Sequence, residues 1–168
     1  MIVLPPRVHV VATEWLAAQL EKAAPDFVID GYPEYATDVA RLDSDQRYML
    51  YRAASAVVRS FGGLTHVSAV LIVGHADTAN HVALHQRAGF EVDISRKRAA
   101  AAGEALRKEM NRLSENAHFT KVLPIRLHSA GSSKRRIQIA RTELEMRKNR
   151  RVEITFGYTT ESSPSCGA

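Results

Sequence analysis

The 168-residue chain is long enough to bury one core without disulfides and short enough to be one domain with modest extensions. Its composition, 45% hydrophobic and 24% charged, is that of a soluble globular protein; no run approaches the roughly 20 apolar residues of a membrane-spanning helix, and a single cysteine, Cys166, excludes an intrachain disulfide. A formal net charge of +5 favours anionic partners: nucleic acid, an anionic membrane surface, or an anionic polymer such as cell wall.

The opening Met1–Pro6 has neither a basic segment nor a long apolar one, so it does not read as a secretion signal. Val8–Ala24 is expected to form a short helix capped by Thr13, an N-terminal extension over residues 1–25. Asp26–Asp30 reads as a short strand, broken by Gly31-Tyr32-Pro33. Ser44-Asp45 opens a helix with a capping residue and an acid, and Leu50, Ala53, Ala54, Val57 and Phe61 follow at helical spacing until Gly62-Gly63. Val67–Val73 is an apolar run of strand formers suited to an interior strand. His75–Asp93 is expected to be a long loop with at most one helical turn.

Ser95 is expected to cap the next helix, with Ala99, Ala102, Leu106, Met110 and Leu113 as its apolar stripe. That reading sets Arg96, Lys97 and Arg98 in a first turn, where the positive end of the helix disfavours cations by roughly 0.3–1 kcal/mol each and so hints at a held anion. Leu123, Ile125 and Leu127 alternate with polar residues, as do Val152, Ile154 and Phe156, giving two strands with one wet face each. Between them lie a basic loop over Gly131–Arg136 and a helical pattern over Ile137–Lys148, and Tyr158–Ala168 is a polar tail expected to be disordered. Helices and strands alternate, which predicts βαβ units. The expectation is an α/β two-layer sandwich: a four-stranded mixed sheet with helices on one face, spanning residues 26–157.

Three fragments occur in order: Ile72-Val73-Gly74-His75-Ala76-Asp77, Ile94-Ser95-Arg96-Lys97-Arg98-Ala99, and Asn149-Arg150-Arg151-Val152-Glu153-Ile154. Together they resemble the OmpA-like C-terminal domain, the peptidoglycan-binding domain also found in peptidoglycan-associated lipoproteins and flagellar stator proteins. The resemblance covers about Phe27 to Phe156. It implies a non-catalytic module of the cell envelope, at the periplasm and outer membrane, that binds the diaminopimelate of the stem peptide without a cofactor. It places Asp77 on the family's acid, which takes the diaminopimelate ammonium, and Arg98 on its arginine, which takes the carboxylate. Arg150 falls on the first arginine of the closing motif, which lines the same site. The residue types suit a zwitterion: an ammonium needs an anionic acceptor, and a carboxylate suits the planar guanidinium fork. Ser95, with backbone N–H groups through Lys97, is expected to add donors at a helix start. His75 and Glu91 complete the set of candidate ligand contacts. Several positions depart from the family pattern. Ala76 replaces its Thr, Thr78-Ala79 its following Gly, and Glu91 its Asn, while Arg98 follows Asp77 by 21 positions, more than is common.

Other readings of the same residues remain. A diverged interaction domain of this fold would bind a protein or another acidic ligand. Asp77, His81 and His85 at four-residue steps, with His75, suggest a metal only if that segment is helical. Lys134-Arg135-Arg136 and Arg147-Lys148-Asn149-Arg150-Arg151 suit phosphates, but no interleaved aromatic residues accompany them, which speaks against nucleic acid. No nucleophile elbow, phosphate loop or metalloprotease helix is readable, and Ser132-Ser133 and Cys166 have no oriented base, so no enzyme is expected. The absence of a readable signal leaves the export route open, with a cytoplasmic location as the alternative.

Overall fold

A computed structural model describes residues 20, 22–114 and 122–160. Of the helix expected over Val8–Ala24, Leu20 is helical, Lys22–Ala24 are not, and the rest lies outside these residues, as does the expected tail beyond Tyr158–Thr160. The elements are β1 (Phe27–Asp30), a 3-10 turn (Val39–Arg41), α1 (Ser44–Ser60), β2 (Thr65–Gly74), α2 (Leu84–Leu113), β3 (Ile125–Ser129), α3 (Glu143–Asn149) and β4 (Arg151–Thr160). The strands form one four-stranded mixed sheet in the order β1-β4-β2-β3. β2 runs parallel to β3 and antiparallel to β4, which also pairs antiparallel with β1.

β2 is an inner strand, as its apolar run requires. Val67, Val70 and Ile72 join a core with Leu50, Val57, Leu106, Met110, Val152 and Ile154, and so bind α1 and α2 to one face of the sheet. A bulge between Val67 and Ala69 shifts the alternation. Ala69 and Leu71 therefore face the other side, where Leu20 packs on them. α2 crosses β2 at very short range. A Cβ on Gly74 would lie 1.9 Å from the Ser95 carbonyl oxygen, so only glycine fits the end of this strand.

Several element boundaries differ from expectation, each for a readable reason. α1 is capped by Asp43 rather than Ser44, in a reciprocal box with Gln46. α2 begins at Leu84, not Ser95, so the loop ends at Ala83 and Ser95 lies inside a 30-residue helix. Its buried face opens with Glu91, Ser95 and Arg98, which follow helical spacing but are polar, so an apolar periodicity cannot reveal them. Its N-cap, Ala83, has no side-chain cap bond, so there is no start signal either. The helix expected over Ile137–Lys148 contracts to Glu143–Asn149, because Thr142 and Glu145 form a capping box. β3 begins at Ile125 rather than Leu123 and ends at Ser129, and β4 continues through Tyr158–Thr160. Among the described residues no helix is long and apolar enough to cross a membrane.

Candidate functional site

The segment after β2, the first half of α2 and the α3–β4 junction enclose a pocket of about 300 Å³. Its walls include Asp77, Thr78 and Ala79 from the loop, Phe90, Glu91, Ile94 and Arg98 from α2, and Met146 and Arg150. Glu34, from the segment after β1, closes one side. Of the six residues singled out in the sequence, the fold brings Asp77, Glu91, Arg98 and Arg150 to this pocket. Ser95 and His75 lie behind it, 0% and 1% exposed.

Arg98 is set by its helix and its neighbours. It is buried, with Nε donating to the Tyr32 carbonyl at 2.5 Å and Nη1 to the His75 carbonyl at 2.6 Å. Nη2 lies 3.3 Å from Glu34 Oε2. Burial lowers its pKa to about 10, with Glu34 opposing and Arg150 adding to the shift, so it stays charged at neutral pH. A guanidinium has five N–H donors. These bonds use three and, among the described residues, leave one on each terminal nitrogen.

Asp77 lines the same pocket from the loop. Its Oδ1 accepts from Asn149 Nδ2 at 3.0 Å, and its other oxygen has no hydrogen-bond partner among the described residues. Asn149 is fully buried and clasps the backbone of Ile137, accepting from its N–H at 2.9 Å and donating to its carbonyl at 2.8 Å. One side chain thus ties the 137 segment, the end of α3 and Asp77 together. Arg150 sits at the rim, its Nη2 paired with Glu143 and its Nε 3.4 Å from the Met146 carbonyl.

Three expectations are corrected here. Ser95 does not offer an anion a helix start. Its Oγ donates to the Val92 carbonyl at 2.9 Å, meets Ser129 Oγ at 2.5 Å and accepts from Gly131 N at 3.0 Å, while the backbone N–H groups through Lys97 lie within α2. Its role is to fasten α2 to the end of β3. Arg96, Lys97 and Arg98 are mid-helix, so the dipole penalty inferred for them does not arise; Lys97 makes an exposed pair with Asp93 at 2.8 Å. Glu91, expected as a ligand contact, lines the pocket but has both carboxylate oxygens engaged within the fold. Its Oε1 accepts from Ala79 N at 2.8 Å and its Oε2 from the Ser132 hydroxyl, which pins the pocket loop to the basic loop.

His75 is a buried structural residue whose carbonyl holds Arg98. Its Nε2 lies 3.1 Å from Glu153 Oε2 but off the ring N–H direction, so it makes no aligned hydrogen bond, and Nδ1 has no partner among the described residues. Burial pushes its pKa below the usual imidazole value, Glu153 opposing, so the ring is neutral at pH 7. Glu153 is drawn down to about 2 by His75 and, against its own desolvation, by Arg151, whose Nε donates to it at 2.8 Å. The His81 ring packs edge-on against Phe90 at 5.4 Å. Among the described residues no group of three His, Cys, Asp or Glu side chains is arranged to hold a metal ion. The basic run at 134–136 is partly spent inside the fold: Arg135 binds the Thr78 hydroxyl, and Arg136 Nη1 lies 3.6 Å from Asp30 Oδ1.

Two residues of this site carry no sequence signal of their own. Glu34 lies in an irregular segment, and only folding brings it to Arg98. Asn149 opens the third fragment, where its position beside two arginines is the one hint of its role.

No protein-family model and no curated protein sequence matches the chain. Among solved structures it is similar to the peptidoglycan-associated lipoprotein from Burkholderia pseudomallei, at 15% identity over 79% of this chain and 91% of that one, with a TM-score of 0.52. It is similar, too, to the OmpA-like domain of FopA1 from Francisella tularensis subsp. tularensis SCHU S4, at 15% identity over 82% of this chain and 74% of that one, with a TM-score of 0.50. The fold is therefore that of OmpA-like domains, kept at low sequence identity.

Proposed function

We propose that this chain is a non-catalytic peptidoglycan-binding module of the cell envelope, and that its pocket takes the free amino-acid end of a diaminopimelate stem peptide. The ammonium goes to the unshared oxygen of Asp77. The group at the carboxyl position meets the two remaining N–H donors of Arg98, and Arg150 adds a second cation at the rim. Support comes from one observation: Asp77, Arg98 and Arg150, far apart in the chain, line the same cavity of about 300 Å³. That volume is at the small end of ligand sites and suits one amino-acid terminus rather than a sugar chain. Arg98 is held by two backbone carbonyls before any ligand arrives, which reduces the ordering cost of binding. A fold shared with a peptidoglycan-associated lipoprotein is consistent with this reading.

Co-sedimentation with purified sacculi tests it. Asp77→Asn keeps an oxygen for Asn149 and removes the charge, so the variant should fold and its retention should fall by about tenfold or more, as loss of a charged hydrogen bond implies. Arg98→Lys should behave alike. Retention unchanged in both variants would refute the site and turn attention to a protein partner. Nucleic-acid binding would instead show affinity falling steeply with salt and indifferent to Asp77.

A further inference from the structure

Arg98 is not an open guanidinium. Glu34 Oε2 already lies 3.3 Å from its Nη2, and Glu34 lines the same pocket with its side chain 41% exposed. A ligand carboxylate approaching Arg98 must therefore stop beside a like charge or drive Glu34 away. The first alternative is repulsive at short range. The second only exchanges one counter-charge on a guanidinium that is itself 5% exposed for another, so it adds no net ion pair.

A primary carboxamide avoids both. Its oxygen accepts from the free N–H groups of Arg98, and its NH2 donates to Glu34, so donor and acceptor are both matched without moving the ion pair. The formal charges agree. Three carboxylates (Glu34, Asp77, Glu91) and two guanidiniums (Arg98, Arg150) line the pocket. Their excess negative charge complements a ligand end carrying an ammonium and a neutral amide better than it complements a zwitterion. Glu91 contributes to that field although its oxygens are engaged by Ala79 and Ser132.

We infer that Glu34 makes this pocket selective for diaminopimelate whose side-chain carboxyl is a primary amide, over the free acid. The inference rests on the reading of the pocket proposed above. Asp77 contacts the ammonium of either form and so does not discriminate; Glu34 is the specificity-determining residue.

Calorimetric titration of the full chain with two synthetic peptides tests it: L-alanyl-γ-D-glutamyl-meso-diaminopimelate with a free side-chain carboxylate, and the same peptide with that carboxyl amidated. The amide should bind roughly tenfold more tightly, the scale of one hydrogen bond to a charged group. In Glu34→Gln the preference should vanish or reverse, because the new NH2 donates to a carboxylate. Equal or tighter binding of the free acid by the wild type overturns the inference, as does a preference unchanged in Glu34→Gln. If neither peptide binds, or if Asp77→Asn leaves both affinities intact, the pocket reading itself fails, and the selectivity falls with it.

Discussion

Asn149 Nδ2 donates to Asp77 Oδ1 at 3.0 Å, so the side chain that closes α3 orients the acid that follows β2. The two residues are 72 positions apart, and Asn149 also satisfies both backbone groups of Ile137. Asn149→Ala removes these bonds and strands a backbone N–H and carbonyl. It should lower unfolding stability by about 2–3 kcal/mol, read from urea titration. It should also weaken sacculus binding while leaving Asp77 in place, because an acid without its orienting amide samples other rotamers.

Two glycines should respond in opposite directions. In Gly74→Ala the new methyl collides with the Ser95 carbonyl, a backbone atom that cannot turn aside. The variant should lose several kcal/mol or fail to accumulate as folded protein, since overpacking against backbone forces α2 off the sheet. Gly89, within α2, is exposed, and a Cβ there meets nothing within 4 Å. Gly89→Ala should stabilise by about 0.5–1 kcal/mol, through lower chain entropy in the unfolded state and better helix propensity. Thermal melts of the two variants beside the wild type decide the matter.

Glu91 serves as a clamp. With both oxygens engaged by Ala79 N and Ser132 Oγ, it holds the pocket loop against the basic loop. Hydrogen exchange should show the Ala79 amide protected in the wild type and much faster in Glu91→Ala. Exchange at Ile72 in β2 should be unchanged, since that strand is paired on both sides. Equal rates at Ala79 would remove the clamp from the account.

Stability should fall with acid in two stages. His75 titrates lower in the folded chain than the 6.5 of an ordinary imidazole, chiefly through burial. The unfolded chain therefore takes up this proton first, and stability declines as pH drops below about 6.5. Glu153 falls from 4.5 to about 2 on folding, through His75 first and then Arg151 against its own desolvation. Its contribution is complete above 4.5 and is lost as pH falls from there to about 2. Urea midpoints across this range should show both stages. His75→Gln should remove the upper stage and shrink the lower, since His75 is the first cause of the Glu153 shift, and Glu153→Gln should remove the lower.

The fold was legible because its core follows apolar periodicity. Val67, Val70 and Ile72 of the apolar run, the alternation of Val152, Ile154 and Phe156, and the stripe of Ala99, Ala102, Leu106 and Met110 all meet in one core. The first third of α2 was hidden because its inward face is polar. Glu91, Ser95 and Arg98 are buried not against apolar side chains but against the loop backbone and the ends of the sheet. Nothing in local sequence distinguishes such residues from a solvated loop, so Ser95 read as a cap and Glu91 as a ligand contact.

By itself the sequence determined the layers, the central strand and the candidates Asp77, Arg98 and Arg150, because hydrophobic pattern and residue type are local properties. Only the tertiary structure decided what those candidates face. Glu34 on Arg98, Asn149 on Asp77 and Glu91 across two loops are contacts between distant chain positions. They exist because parallel pairing of β2 with β3, and insertion of β4 beside β2, gather the strand ends on one side of the sheet.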